Sequence, residues 1–438
     1  MRDYALMGIL LSFVFLALYR PWLGVLGLAV LGFMHPQGYG DGFMKTFPAY
    51  MVLFAATGIG YLVEQFRQKR LPQIYWDWRL VSLALLFGWF FVSTHHALAP
   101  FAAREKLVEV LKILPPLILV WLLIDTREKL FLLIATIALS IALVVIKGGY
   151  WAVMTGFHDR VYGPPGSQYG DNNEFAVAVA MSIPLLFIWM RETQDRALRW
   201  MILALVVLSY LSALSSWSRG GMLSLIAMTL LLVWYGRRKF IAIPLVLLGM
   251  LTASVIFSEK WLGRMGSILA FEEDASAQSR MGVWRVGWEA AVKHPLVGNG
   301  FDSWPILSAS NGGIMDWHSA YIELLAEHGF VGLVIWGGLI AGTLLSLGFL
   351  ARSGRRTKQP WVASYAGMLQ ASLVAYLAGA LTLGIAYWEL PFWSIICTAV
   401  MVRLAKNQTP GNQSEVLASG GQASDLSINL TVGADRLR

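Results

Sequence analysis

The sequence predicts an all-α fold: a polytopic transmembrane helical bundle of about 12–14 helices, with one long helical loop on its outer face. Three observations predict it. Of 438 residues, 57% are hydrophobic and 14% charged, against about 45–50% and about 25% in soluble domains. Apolar runs approaching the ~20 residues that cross ~30 Å of hydrocarbon recur along the chain. Lys and Arg gather in alternate connections between those runs. The composition excludes a soluble enzyme, a disordered chain and a fibrous repeat. The one cysteine, Cys397, lies in an apolar run, so there is no disulfide framework and no Cys-based metal site.

The runs lie at 4–19, 22–34, 47–63, 80–97, 108–124, 129–150, 174–190, 200–217, 221–236, 240–257, 329–350, 361–381 and 386–404. Arg20-Pro21 splits the first two, which form either two thin spans or a hairpin that does not fully cross. Arg2 precedes the first run and no A-x-A-like site follows, so this run is expected to stay as an anchor. Five connections are rich in cations. They carry Arg67, Lys69, Arg70 and Arg79; Arg127 and Lys129; Arg191, Arg196 and Arg199; Arg237, Arg238 and Lys239; and Arg352, Arg355, Arg356 and Lys358. One orientation places all five in the cytoplasm. The connections 35–46, 98–107, 151–173, 218–220 and 258–328 then lie outside. Lys45, Arg104, Lys106 and Arg160 also fall there, so the bias is a trend. The chain divides into N-terminal helices (1–150), a core (151–404) that includes the loop 258–328, and a tail (405–438). The tail is Ser/Gly/Asn/Gln-rich without aromatics, and is expected to be disordered and cytoplasmic.

The loop 258–328 exceeds the usual connection length and carries five Lys/Arg against nine Asp/Glu. Long structured loops carry function, so the site is expected here, on the outer face. Arg219 is the sharpest local signal. It stands in Ser216-Trp217-Ser218-Arg219-Gly220-Gly221, a break between two apolar runs. An arginine near the bilayer is costly, and its planar fork suits phosphate oxygens. The bland reading is an interfacial arginine that snorkels to headgroups.

Residues 279–291 have helical spacing, with Arg280, Trp284 and Trp288 at i, i+4, i+8. Arg285 and Glu289 are spaced to pair with each other, which makes Arg280 the better ligand candidate. Gly298-Asn299-Gly300 marks a tight turn after His294-Pro295. Residues 316–329 read as a helix with His318 in its first turn, Tyr321 below it and Gly329 near its end. A histidine at a helix start loses basicity to the dipole and is free to accept a proton. Glu323 and Glu327, like charges at i, i+4, are expected to find cationic partners. In 160–176, Arg160, Asn172 and Asn173 are candidates for a second wall of the site, although Asp171 to Asn173 also reads as a helix-capping set. His95-His96 with His158 complete no metal-ligand spacing. No Walker loop, dinucleotide fingerprint or serine elbow is present. No metal, cofactor or nucleic-acid partner is expected.

Taken in order, Ser218-Arg219-Gly220, the Arg280-x-x-x-Trp284 helix, Pro295-Leu296-x-Gly298-x-Gly300 and His318-Ser319-x-Tyr321-x-Glu323-x-x-x-Glu327-x-Gly329 resemble the O-antigen ligase and polymerase superfamily of bacterial envelope glycosyltransferases. Met34-His35-Pro36 and Gly170 to Ala176 look like the putative O-glycosylation ligases found with exosortase systems. The resemblance implies a metal-independent, inverting transfer on the periplasmic face of the inner membrane. The donor would be a glycan on undecaprenyl diphosphate. The acceptor would be a hydroxyl on a protein, a lipid or another glycan. By the same resemblance Arg219 and Arg280 would hold the diphosphate, with Arg285 as runner-up. His318 would orient the acceptor hydroxyl or take its proton. A repeat-unit polymerase shares this donor chemistry. A transporter would be expected to show internal repeats and interrupted helices near the midplane, and no internal repeat is visible. A scaffold leaves Arg219 unexplained.

Overall fold

The computed structural model describes residues 1–69, 75–236, 259–266, 275–308, 316–357 and 359–407. The expected run 240–257, the cations at 237–239, and the tail beyond residue 407 lie outside the described residues. Among the described residues every regular element is helical: α1 (Arg2–Tyr19), α2 (Pro21–Phe33), α3 (Ala49–Gln68), α4 (Trp78–Thr94), α5 (Pro100–Leu111), α6 (Leu114–Leu123), α7 (Arg127–Met154), α8 (Asn172–Glu192), α9 (Arg196–Leu214), α10 (Arg219–Tyr235), α11 (Glu259–Gly266), α12 (Ala275–Lys293), α13 (Trp304–Ser308), α14 (Ala320–Arg356), α15 (Pro360–Ala380) and α16 (Glu389–Asn407). Among the described residues, seven helices are long and apolar enough to cross a membrane: α1, α3, α7, α8, α9, α14 and α15. Helices α2, α4 and α10 are shorter and apolar. Phe15, Leu62, Phe66, Trp200, Leu230 and Leu345 are mostly exposed. Such a surface suits lipid tails and would be a liability in water. The chain is a multi-pass membrane protein.

Helix starts follow the sequence. Asp77, Thr126, Asp171, Asp195 and Ser218 each accept a backbone N–H of the first turn that follows them, which satisfies donors the helix itself leaves open. Helix α8 is the hub, packing against α7, α9, α10 and α15. Pro184 lies inside α8, where neighbouring helices shield the backbone it frees.

Three expectations are refined. Residues 1–34 form two helices, α1 and α2, that part at Arg20 and pack on each other. The Asp3 carboxylate accepts the N–H groups of Asp41 (2.8 Å) and Met44 (3.3 Å), so the start of α1 stands beside the connection that follows α2. The run 108–124 is not one span, because the chain turns at Lys112 and Ile113 between α5 and α6. Pro115 and Pro116 offer no N–H and clash with the preceding turn, while Pro100 at a first-turn position starts α5 inside what was read as a polar connection. The helix expected to end near Gly329 instead continues into the next span as α14, broken at Gly329 with φ 68°. A Cβ there would stand 2.3 Å from the Leu296 carbonyl oxygen, so only glycine fits.

Candidate functional site

The connections outside the membrane converge at one end of the bundle. Asn172, the first residue of α8, is buried and donates its amide to the Ser216 carbonyl (2.7 Å). This bond ties the α8 start to the break before Arg219. Ser218 caps α10 by accepting from Gly221 N–H (3.0 Å), which fixes Arg219 at the first helical position. Arg280, near the start of α12, lies close enough to act electrostatically on both Arg219 and His318. Asp316 acts on His318 from its own segment.

His318 is not inside the first turn, as the sequence suggests. It precedes α14 by two residues, in left-handed backbone (φ 50°). Burial pushes its imidazole below the ordinary value. Arg280 pushes the same way and Asp316 opposes. Below-normal basicity leaves the ring neutral near pH 7. Burial and a cation are the causes of this tendency, and not a place inside the first helical turn.

The two glutamates of α14 hold the histidine segment, and not by ion pairs. Glu327 accepts from the Trp317 indole (3.0 Å), the Asp302 N–H (3.1 Å) and the Tyr387 hydroxyl (2.7 Å). Glu323 accepts from Ala386 N–H (3.1 Å). The expectation of cationic partners is corrected: neutral donors satisfy these buried carboxylates, and an unsatisfied one would cost several kcal/mol (~2–7 for a buried polar group). Because Tyr387 donates to Glu327, it can only accept from His328 Nε2 (2.8 Å). On its other side, His328 Nδ1 is in hydrogen-bond contact with the Ser93 hydroxyl (2.6 Å). The buried Trp317, one residue before His318, is thereby anchored to α4, α14 and the connection after α15.

This connection, residues 381–388, is the part of the site that sequence reasoning missed. A Cβ on Gly384 would stand 2.7 Å from Asp316 Oδ2. Ala386 and Tyr387 bind the glutamates, and Glu389 N–H donates to Gln168 Oε1 (3.1 Å). The Gly384 and Glu389 positions were the available signals, inside a stretch that otherwise reads as apolar span.

The remaining candidates are placed as follows. Arg285 is largely exposed (82%) and pairs with Glu289 (2.9 Å). This is the i, i+4 pairing that the spacing suggests. Arg160 lies over the Trp217 ring (5.7 Å), at a shallow cavity of about 490 Å³, two residues along the chain from Arg219. Tyr321 donates to the Leu377 carbonyl (3.1 Å) and packs edge-on against Trp336, which makes it a strut between α14 and α15. Asn173 donates main-chain and side-chain N–H to Asp171 (both 2.9 Å), the capping role weighed beside ligand contact.

Chemically, the cluster sets two guanidinium groups near an imidazole at one end of the helical bundle. Such an arrangement can hold an anion and take a proton from a neighbouring hydroxyl. The fold and cluster thus define a multi-pass membrane protein with two arginines and a histidine gathered at one end of its bundle. Comparison with known families narrows the class. Residues 204–337, which include Arg219, Arg280 and His318, match the family described as O-antigen ligase. Residues 1–194 match a family of unknown function. No curated protein matches the chain. The core is O-antigen ligase-like.

Proposed function

We propose that this chain is an inner-membrane glycosyltransferase of the ligase type. It moves a glycan from an undecaprenyl-diphosphate carrier to an acceptor hydroxyl on the periplasmic face. The observation that carries the reading is the meeting of Arg219, Arg280 and His318, residues scattered over some 100 positions, at one end of the bundle. The acceptor oxygen attacks the anomeric carbon as the bond to the diphosphate breaks, with inversion. The acceptor proton passes to His318, and the negative charge developing on the departing diphosphate falls to Arg219 and Arg280. Fixed cations aimed at developing charge act without reorganisation, and removing one such donor costs about 10²–10³ in rate. A neutral histidine contributes about 10²–10⁴ as a base. Trp317, held by Glu327, positions His318. The match of 204–337 favours a ligase. The likeness of residues 34–36 and 170–176 to ligases found with exosortase systems makes a protein hydroxyl the first acceptor to offer.

The test is transfer from a purified lipid-diphosphate glycan in detergent with chelator, for wild type and His318→Ala. Wild type is expected to transfer, and the variant to lose about 100-fold or more while keeping its melting temperature. Undiminished transfer by His318→Ala removes the base assignment. The labelled acceptor separates ligase from repeat-unit polymerase.

A further inference from the structure

A cavity of about 670 Å³ lies apart from the residues of the Arg219–His318 cluster, none of which lines it. It is built mainly from residues 31–51 and 165–169 with the start of α16, so most of it falls in the stretch matching a family of unknown function. Its volume lies within the ~300–1,000 Å³ typical of ligand sites. The proposed transfer chemistry uses none of its residues.

The hydrogen-bonding groups of this cavity are set by the surrounding backbone. Gln37 Nε2 donates to the Leu31 carbonyl (3.3 Å), which fixes that atom as the amide nitrogen, and contacts His35 Nδ1 (2.9 Å). His35 Nδ1 must therefore accept, and the ring proton sits on Nε2, facing Gly166 on the wall. Gln168 Oε1 is occupied by Glu389 N–H, which leaves its amide to donate. The Glu389 carboxylate has no hydrogen-bond or ion-pair partner among the described residues. The Tyr50 hydroxyl and Gln37 Oε1 are buried and have none either. Two donors and several acceptors thus stand ready for a ligand that both gives and takes hydrogen bonds. Phe47, Tyr50 and Trp388 supply aromatic faces. The formal charges of the lining are two of each sign, Lys45 and Lys112 against Glu109 and Glu389.

We propose that this cavity is a saccharide-binding site that takes a short, neutral stretch of glycan beside the transfer site. Hydroxyl groups are simultaneous donors and acceptors, and match Glu389, Gln168 and His35. The apolar faces of sugar rings lie against aromatic side chains, which pair an apolar body with directional polar neighbours. The connection 381–388 runs from Gly384 at Asp316 to Trp388 and Glu389 in the cavity, which sets the two places side by side. The inference rests on the transferase reading only for whose glycan it is.

The experiment is direct binding, without turnover. Full-length protein in nanodiscs is offered a panel of free neutral trisaccharides (maltotriose, chitotriose and mannotriose), and binding is read by saturation-transfer NMR. At least one is expected to bind, about 10-fold more weakly to Glu389→Gln and to Gly32→Leu. Glu389→Gln keeps the backbone and the shape. Gly32→Leu plugs the space, since a Cβ on Gly32 would point between Glu389 Oε2 (3.4 Å) and Tyr50 Cε2 (3.5 Å) at ordinary contact distance. Leucine also favours the helix by about 1 kcal/mol over glycine, so this variant is expected to fold. Arg219→Ala and His318→Ala should bind the trisaccharide within twofold of wild type, which separates this site from the transfer reading. Displacement by a glycan-bearing lipid diphosphate, and not by the bare lipid diphosphate, assigns the site to the donor; displacement only by a glycosylated acceptor assigns it to the acceptor. If no trisaccharide binds wild type, or if both variants bind as wild type does, the inference is overturned.

Discussion

The two ends of the bundle treat arginine differently. At the end where the cation-rich connections gather, several arginines meet acceptors supplied by the protein itself. Arg79 binds both oxygens of Asp77 (3.1 Å each), Arg127 binds Glu192 (2.7 and 2.8 Å), and Arg403 donates to the carbonyls of Trp121 and Ile124 (2.8 and 2.6 Å). At the opposite end Arg219 and Arg280 lie within each other's field, with His318 beside Arg280. Like charges brought together raise the local positive potential, which draws in a polyanion. Arginine at the first end orients and braces the chain. At the second, two arginines and a histidine stand within each other's field, the arrangement the proposed transfer requires.

That contrast can be broken by substitution. The largest effect is expected from Arg219→Ala and Arg280→Ala, each lowering transfer by about 10²–10³. Lysine at either position should restore only part, since an ammonium lacks the planar fork. Arg127→Ala, assayed alongside, should leave transfer per folded molecule unchanged. Equal losses at the two ends would erase the distinction.

A smaller effect is expected in the pH profile of transfer. A base must be unprotonated, and burial with Arg280 holds the His318 imidazole low. The acid limb should therefore fall below the ordinary histidine value of about 6.5. Arg280→Ala removes a lowering influence, so in its residual activity the limb should move up. Asp316→Asn removes a raising one, so the limb should move down. Shifts of opposite sign to these would detach the limb from His318. The smallest effect belongs to Arg285→Ala. An exposed i, i+4 pair contributes about 0.2–0.5 kcal/mol, so thermal melting and transfer should both stay close to wild type. A large loss of transfer there would return Arg285 to the site.

Much of this was legible in the sequence, and for a physical reason. Apolar runs and capping residues act locally, so α7, α8, α9 and α15 fall within a few residues of their expected bounds. Arg219 and His318 announced themselves because a cation or an imidazole at an apolar break needs a reason. The connection 381–388 did not. Ala386-Tyr387-Trp388 has the composition of a span, yet it is held out of helix by bonds to Glu323 and Glu327, more than 55 positions earlier in the chain. The partners of those glutamates were misjudged on the same ground. Charge pairing can be read from a sequence, whereas a main-chain N–H or an indole delivered by the tertiary fold cannot. The polar cavity at His35 and Glu389 was hidden too, because its groups come from four separate segments.

The break at Gly329 has a mechanical consequence. A straight helix of 37 residues would extend about 55 Å, nearly twice the ~30 Å of hydrocarbon. The glycine divides it into residues 320–328, which anchor the histidine segment, and residues 330–356, which at about 40 Å cover a bilayer with its interfaces. Membranes differ in thickness by a few ångströms, and helices answer by tilting. The break is pinned, since Phe330 N–H donates to the Pro295 carbonyl (2.8 Å), so the span below and the histidine segment above are both referenced to the loop that carries Pro295 and Leu296.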